Sequence, residues 1–88
     1  MVAPLKVVTL DRALHLLVRM LGTNVQFGQR TLLKVAEHHY ILQFRDDPRN
    51  QAFIEGIIRQ FIAGYHLPQA TIELQPVGQY AFDITIRW

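Results

Sequence analysis

The sequence predicts a single α+β domain of order αββαββ, an antiparallel sheet of about four strands with two helices packed on one face. Two observations predict it. Apolar residues recur at helical spacing over residues 10–21 and again over 53–65, while residues 31–45 and 71–88 alternate with a period of two. The order repeats an αββ unit about every 40 residues, without residue-level identity between the halves. The chain has 88 residues, enough for one domain over 1–88 and too few for a second.

The first helix carries Leu10, Ala13, Leu14, Leu17, Val18 and Leu21 on one face. Thr9 suits the N-cap, Asp11 suits the positive first turn, and Gly22 suits a left-handed residue after the last turn. Arg12 and Arg19 fall opposite the apolar face. Leu16 and Met20 widen the apolar arc to about 200°, at about 100° per residue. A helix on the surface of a monomer needs less.

Residues 23–30, with Gly28, read as a loop containing a short extended piece. A strand over about 31–36, a turn at 36–39 and a strand over about 39–45 follow, in which Tyr40, Leu42 and Phe44 alternate with Ile41, Gln43 and Arg45. The turn has no Asn-Gly or Asp-Gly pair. Asp47 as N-cap with Pro48 at the first helical position then opens the second helix, with Asn50 as the competing cap. Phe53, Ile54, Ile57, Ile58, Phe61, Ile62 and Tyr65 form its apolar stripe, Glu55 and Arg59 form an i, i+4 ion pair, and Gly64 and Pro68 stop it near Ala63. In the last hairpin the strand 71–75 is joined by a turn at 76–79 to the strand 80–88. There Tyr80, Phe82, Ile84, Ile86 and Trp88 face one side, and Ala81, Asp83, Thr85 and Arg87 the other.

Composition removes several functions. No cysteine excludes disulfides and thiolate chemistry, and no serine excludes a Ser/His/Asp triad. The five glycines are scattered and form no phosphate loop. No apolar run approaches the roughly 20 residues of a membrane span. The N-terminal stretch, with Lys6 after a short apolar start, lacks a signal-peptide pattern, so a cytoplasmic location is expected. A net charge of +2, with the basic residues dispersed, makes nucleic acid an unexpected partner.

Four histidines are the candidate ligands or bases. His38 and His39 sit together at a hairpin tip beside Glu37, where adjacent side chains diverge; solvation, not metal, is expected there. His66 follows the helix end, a position that favours a cation. His15 lies about 130° from the centre of the first apolar face at about 100° per residue, a solvent-facing or interface position. Asp46-Asp47 belongs to a cap, and Glu73 and Asp83 lie on outer strand faces, so no acid–base pair is set in a pocket. No catalytic residue, metal or cofactor is expected. On the second helix Ala52, Gly56 and Ala63 share the face opposite the Ile/Phe stripe. Gly56 there serves either a close approach inside the fold or a subunit contact.

From Tyr40 onward the order is a strand Tyr40-Ile41-Leu42-Gln43-Phe44, a polar junction Arg45-Asp46-Asp47-Pro48-Arg49, a helix Phe53-Ile54-Glu55-Gly56-Ile57-Ile58 and a closing hairpin. This order resembles the C-terminal half of a superfamily comprising haem–nitric-oxide-binding domains, vinyl-reductase-type small-ligand domains and TRAPP Golgi-transport subunits. Gly56 matches the small residue that such helices carry after an apolar pair. Leu14-His15 is similar to the Leu-His of the haem-binding members, whose His ligates iron. The Tyr-x-Ser-x-Arg signature of those members is replaced here by Phe44-Arg45-Asp46-Asp47-Pro48-Arg49. The resemblance implies a small module that binds itself or protein partners, with an apolar ligand between subunits as a further option.

The sequence therefore points to a non-catalytic, oligomerising regulatory or adaptor domain, most simply a homodimer. Leu16, Met20, His15, Ala52 and Gly56 are its expected interface. Asp83, Thr85 and Arg87 make the outer face of the last strand polar, which assigns the contact to the helical side. The alternatives are a small-ligand or haem sensor using His15, and an RNA-binding module.

Overall fold

A computed structural model of the chain describes residues 9–23, 27–67 and 69–88. The first helix, α1 (Leu10–Gly22), begins as its sequence directs: the Thr9 hydroxyl accepts from the Arg12 amide at 3.4 Å, occupying one of the amides that has no partner within the helix. Its end departs from expectation. Gly22 is the last helical residue, not a left-handed one. Thr23, in an extended conformation, closes the helix by donating its N–H to the Met20 carbonyl at 3.1 Å and its hydroxyl to the Arg19 carbonyl at 2.9 Å.

β1 (Gln29–Ala36) and β2 (His39–Arg45) pair antiparallel across a two-residue turn, Glu37-His38, in which His38 takes φ 58°. α2 (Gln51–Ala63) is capped by Asn50, whose Oδ1 accepts from the Phe53 amide at 3.0 Å. Asp47 is thus not the cap; its carboxylate is engaged elsewhere, by two arginines described below. At the far end Gly64 stays right-handed, and the left-handed residue is His66 at φ 54°, its N–H donating to the Ala63 carbonyl at 3.1 Å. β3 (Thr71–Gly78) and β4 (Ala81–Arg87) complete the sheet. The expected turn at 76–79 is mostly strand. β3 lies on an edge, where Pro76 needs no ladder donor, and a register shift between Pro76 and Gly78 moves the turn to Gln79-Tyr80. Tyr80 is consequently exposed instead of facing the core. The expectations for Lys6, for the loop at 24–26 and for Pro68 lie outside the described residues.

The strand order is β1-β2-β4-β3, antiparallel throughout. β2 and β4 form the centre, with Tyr40 opposite Ile86, Leu42 opposite Ile84 and Phe44 opposite Phe82; the last two rings stack at 4.5 Å. Leu14 and Leu17 from α1 and Ile54 and Ile58 from α2 cover this face, and all are fully buried. Each such side chain contributes about 1.5–3 kcal/mol of burial.

The two halves share one frame. Each has a helix of 13 residues, then strands of 8 and 7, and each first strand carries its register shift near its end. Counted from the first helical residue, the buried Ala13, Leu17 and Leu21 of α1 occupy the positions of the buried Ile54, Ile58 and Ile62 of α2.

Candidate functional site

The sheet uses only one of its faces for the core, so the protein has two outer surfaces, the bare sheet and the outward side of the helices. On the bare sheet, charges pair with one another. Arg45 Nη1 lies 2.8 Å from Asp83 Oδ1, and Arg87 Nη1 lies 3.7 Å from Glu73 Oε1. Glu73, Leu74, Gln75, Pro76, Thr85 and Arg87 line a shallow polar depression of about 480 Å³ there. Among the described residues this face carries no Phe, Tyr or Trp, so stacked bases have no platform on it.

The helices present a different surface. On α1, Leu16 and Met20 are 55% and 64% exposed, as their positions outside the apolar stripe require. Arg12 and Arg19 beside them make no ion pair among the described residues. His15 is exposed, its ring edge-on to Tyr40 at 6.5 Å.

On α2, Phe53 is 64% exposed, which corrects its placement in the core stripe. Only Ile54, Ile58 and Ile62 of this helix are buried, and Phe53 lies about 100° round the helix from Ile54. Ala52 and Gly56 are exposed beside it. Among the described residues a Cβ built on Gly56 would meet nothing within 4 Å, so no described element approaches closely there. The described part of the fold therefore supplies no intramolecular close approach that calls for a glycine here. Ala52, Phe53, Gly56, Ile57 and Gln60 line a shallow, mainly apolar groove of about 410 Å³.

The shared frame makes the two helices directly comparable. Where α1 carries Arg12, His15 and Arg19 outward, α2 carries Phe53, Gly56 and Gln60 at the same helical positions. The outward face of α1 is basic and that of α2 is uncharged. Glu55 and Arg59 of α2 pair at 2.7 Å on its flank, and Arg59 also donates to the Ile72 carbonyl of β3 at 2.8 Å, which turns this charge toward the sheet.

Sequence reasoning missed an ion cluster at the β2–α2 junction. Asp47 is 1% exposed and accepts a bidentate pair from Arg49, Nε to Oδ1 at 2.9 Å and Nη2 to Oδ2 at 2.7 Å; the Arg49 amide donates to Oδ1 at 3.1 Å. Arg30 Nη2, arriving from β1, stands 3.3 Å from Oδ2 and donates to the Phe27 carbonyl at 2.7 Å. Both guanidinium groups lie over the Phe27 ring, at 5.6 and 5.8 Å. The Asp47 amide donates to the Tyr80 carbonyl at 2.9 Å, so the cluster ties the β3–β4 turn to the β2–α2 junction. Gly28 makes this possible: at φ 69° it brings its backbone so close that a Cβ would lie 2.5 Å from the Arg45 carbonyl oxygen. Burial pushes the Asp47 carboxyl up, but the Arg49 hydrogen bonds and the charges of Arg49 and Arg30 outweigh it and hold the group below its ordinary value. The Asp47-Pro48-Arg49 spacing was the available signal; the contribution of Arg30 depends on strand placement.

The histidines do not converge. His38 stacks on Trp88 at 5.2 Å, whereas His39 Nε2 accepts from Arg87 Nε at 3.4 Å, and Glu37 pairs with Lys34 at 2.8 Å. Trp88 in turn stacks on Tyr40 at 5.7 Å, and the Tyr40 hydroxyl donates to Asp11 Oδ2 at 2.9 Å. Burial, reinforced by that bond and the Asp11 charge, raises the Tyr40 phenol above its ordinary value. No three His, Asp or Glu side chains come together among the described residues.

A family model described as protein of unknown function (DUF2378) matches residues 1–88. The chain belongs to that family. No curated protein and no solved structure matches it. No helix among the described residues is long and apolar enough to cross a membrane.

Proposed function

We propose that this DUF2378 domain is a non-catalytic interaction module that works by oligomerising, with the outward side of its helices as the contact surface. One observation carries the reading. The three most exposed large apolar side chains, Leu16, Met20 and Phe53 at 55–64%, all belong to the helices; Leu33 and Val35 of β1 and Val77 of β3 are exposed too, at 41–54%, on a sheet that also pairs its own charges. Large apolar side chains left this exposed are where a contact is expected. The core itself is complete without them, since both helices already bury their own stripes against the sheet.

Sedimentation velocity over a concentration series tests this. The wild-type chain is expected to move from 10.2 kDa toward twice that mass. A Leu16→Asp, Met20→Lys, Phe53→Arg triple variant is expected to fold and remain monomeric. A wild-type chain that stays monomeric, or a triple variant that associates as well as wild type, contradicts the reading.

A further inference from the structure

Resting on that reading, we infer that the partner of α2 is α2 of a second copy, the two helices packing about a two-fold axis with each Phe53 ring seated against the other copy's Gly56. A two-fold contact requires one patch to be complementary to itself. The outward face of α2 meets that condition. It carries both a knob, the exposed Phe53 ring, and a hollow, the shallow groove in which Gly56 lies between Ala52, Ile57 and Gln60, open to solvent among the described residues. The two lie three residues apart on one helix, so an antiparallel neighbour brings both knobs to both hollows at once.

Charge selects α2 over α1 as the meeting surface between copies. Pairing α1 with α1 would bring together four arginines, Arg12 and Arg19 of each chain. One carboxylate per chain, Asp11, faces those two arginines, and it accepts from the Tyr40 hydroxyl, so the α1 pairing keeps a net positive charge. The equivalent positions of α2 hold Phe53 and Gln60, and the charged pair of that helix is turned to β3. Two α2 faces therefore meet without repulsion and without stranding a charge.

The area places the contact among weak, transient ones, although area alone fixes no affinity. A 13-residue helix is about 20 Å long, so two such faces bury several hundred Å² together, below the roughly 1,200 Å² of a standard specific interface. The association is weak, with a dissociation constant on the order of 10–100 μM.

Sedimentation equilibrium of the full chain over about 5–500 μM, spanning that constant, reads the inference. Phe53→Arg gives α2 the residue that α1 carries at the same position, which the fold already accommodates, and Gly56→Leu fills the groove while favouring the helix. Each is expected to weaken self-association at least about 10-fold, equivalent to 1.4 kcal/mol, with an unchanged circular dichroism spectrum. The Leu16→Asp, Met20→Lys double variant is expected to weaken association less than either α2 substitution does. If that double variant dissociates while Phe53→Arg does not, the α2 pairing is wrong although the helix side remains the contact. If the wild-type chain is monomeric throughout, both readings fall.

Discussion

The first and second αββ halves share one frame and differ in what they place at matching positions. Inside, the first half puts Arg30 where the second puts Ile72, at the second residue of the opening strand, and Tyr40 where the second puts Phe82. Outside, it puts Arg12, His15 and Arg19 where the second puts Phe53, Gly56 and Gln60. The half with polar groups inward has partners for them, Asp47 for Arg30 and Asp11 for Tyr40. Both halves leave apolar groups outward, Leu16 and Met20 in the first and Phe53 in the second, and Phe53 sits beside an open groove. A buried polar group that is paired explains itself structurally, whereas an exposed apolar group beside an open groove asks for a partner from outside.

The largest way to break this comparison is to remove the partner of the buried arginine. Asp47→Ala leaves Arg30 buried with its charge uncompensated, and stability is expected to fall by about 3–5 kcal/mol in a urea titration. Acid does the same more gradually. Because the folded carboxyl is held below its ordinary value, its contribution is fully present above the unfolded carboxylate value near about 3.9 and is lost as pH falls from there through the folded value. Wild-type stability should drop in that window more steeply than that of Asp47→Ala.

Next in size is Tyr40→Phe, which gives the first half the residue of the second. Losing the bond to Asp11 is expected to cost about 1.5 kcal/mol by thermal melting, since the acceptor is charged. The raised phenol adds a pH signature: its contribution is complete below the unfolded value of about 10 and is lost as pH rises through the higher folded value, a loss absent in Tyr40→Phe. Gly56→Ala has the opposite sign. With open space around it and helical backbone, the substitution should raise monomer stability by about 1 kcal/mol, which a monomer-only role for Gly56 gives no reason to forgo. Smallest is Phe53→Arg, expected to change monomer stability by less than about 0.5 kcal/mol because the side chain is mostly solvent-exposed.

Element order, both helices and the core of β2 and β4 were legible in the sequence because periodicity reports burial directly. The exposure of Leu16 and Met20 was legible for the same reason. What was not legible depended on tertiary partners. Asp47 reads as a cap until Arg30 reaches it from β1, and only then does Asn50 inherit the capping role. Phe53 fits an apolar stripe that spans half a helix, but the sheet accepts a narrower arc of three isoleucines and leaves the ring outside. Pro76 reads as a turn residue unless its strand is known to be an edge.

The most direct test of the central claim follows backbone amide chemical shifts of the wild-type chain by NMR as it is diluted through the association range. The account predicts that the concentration-dependent shifts cluster on α2 at Ala52, Phe53, Gly56, Ile57 and Gln60, while Thr31, Gln43 and Asp83 on the bare sheet stay fixed. Shifts that cluster on those sheet residues, or none at any concentration, would contradict it.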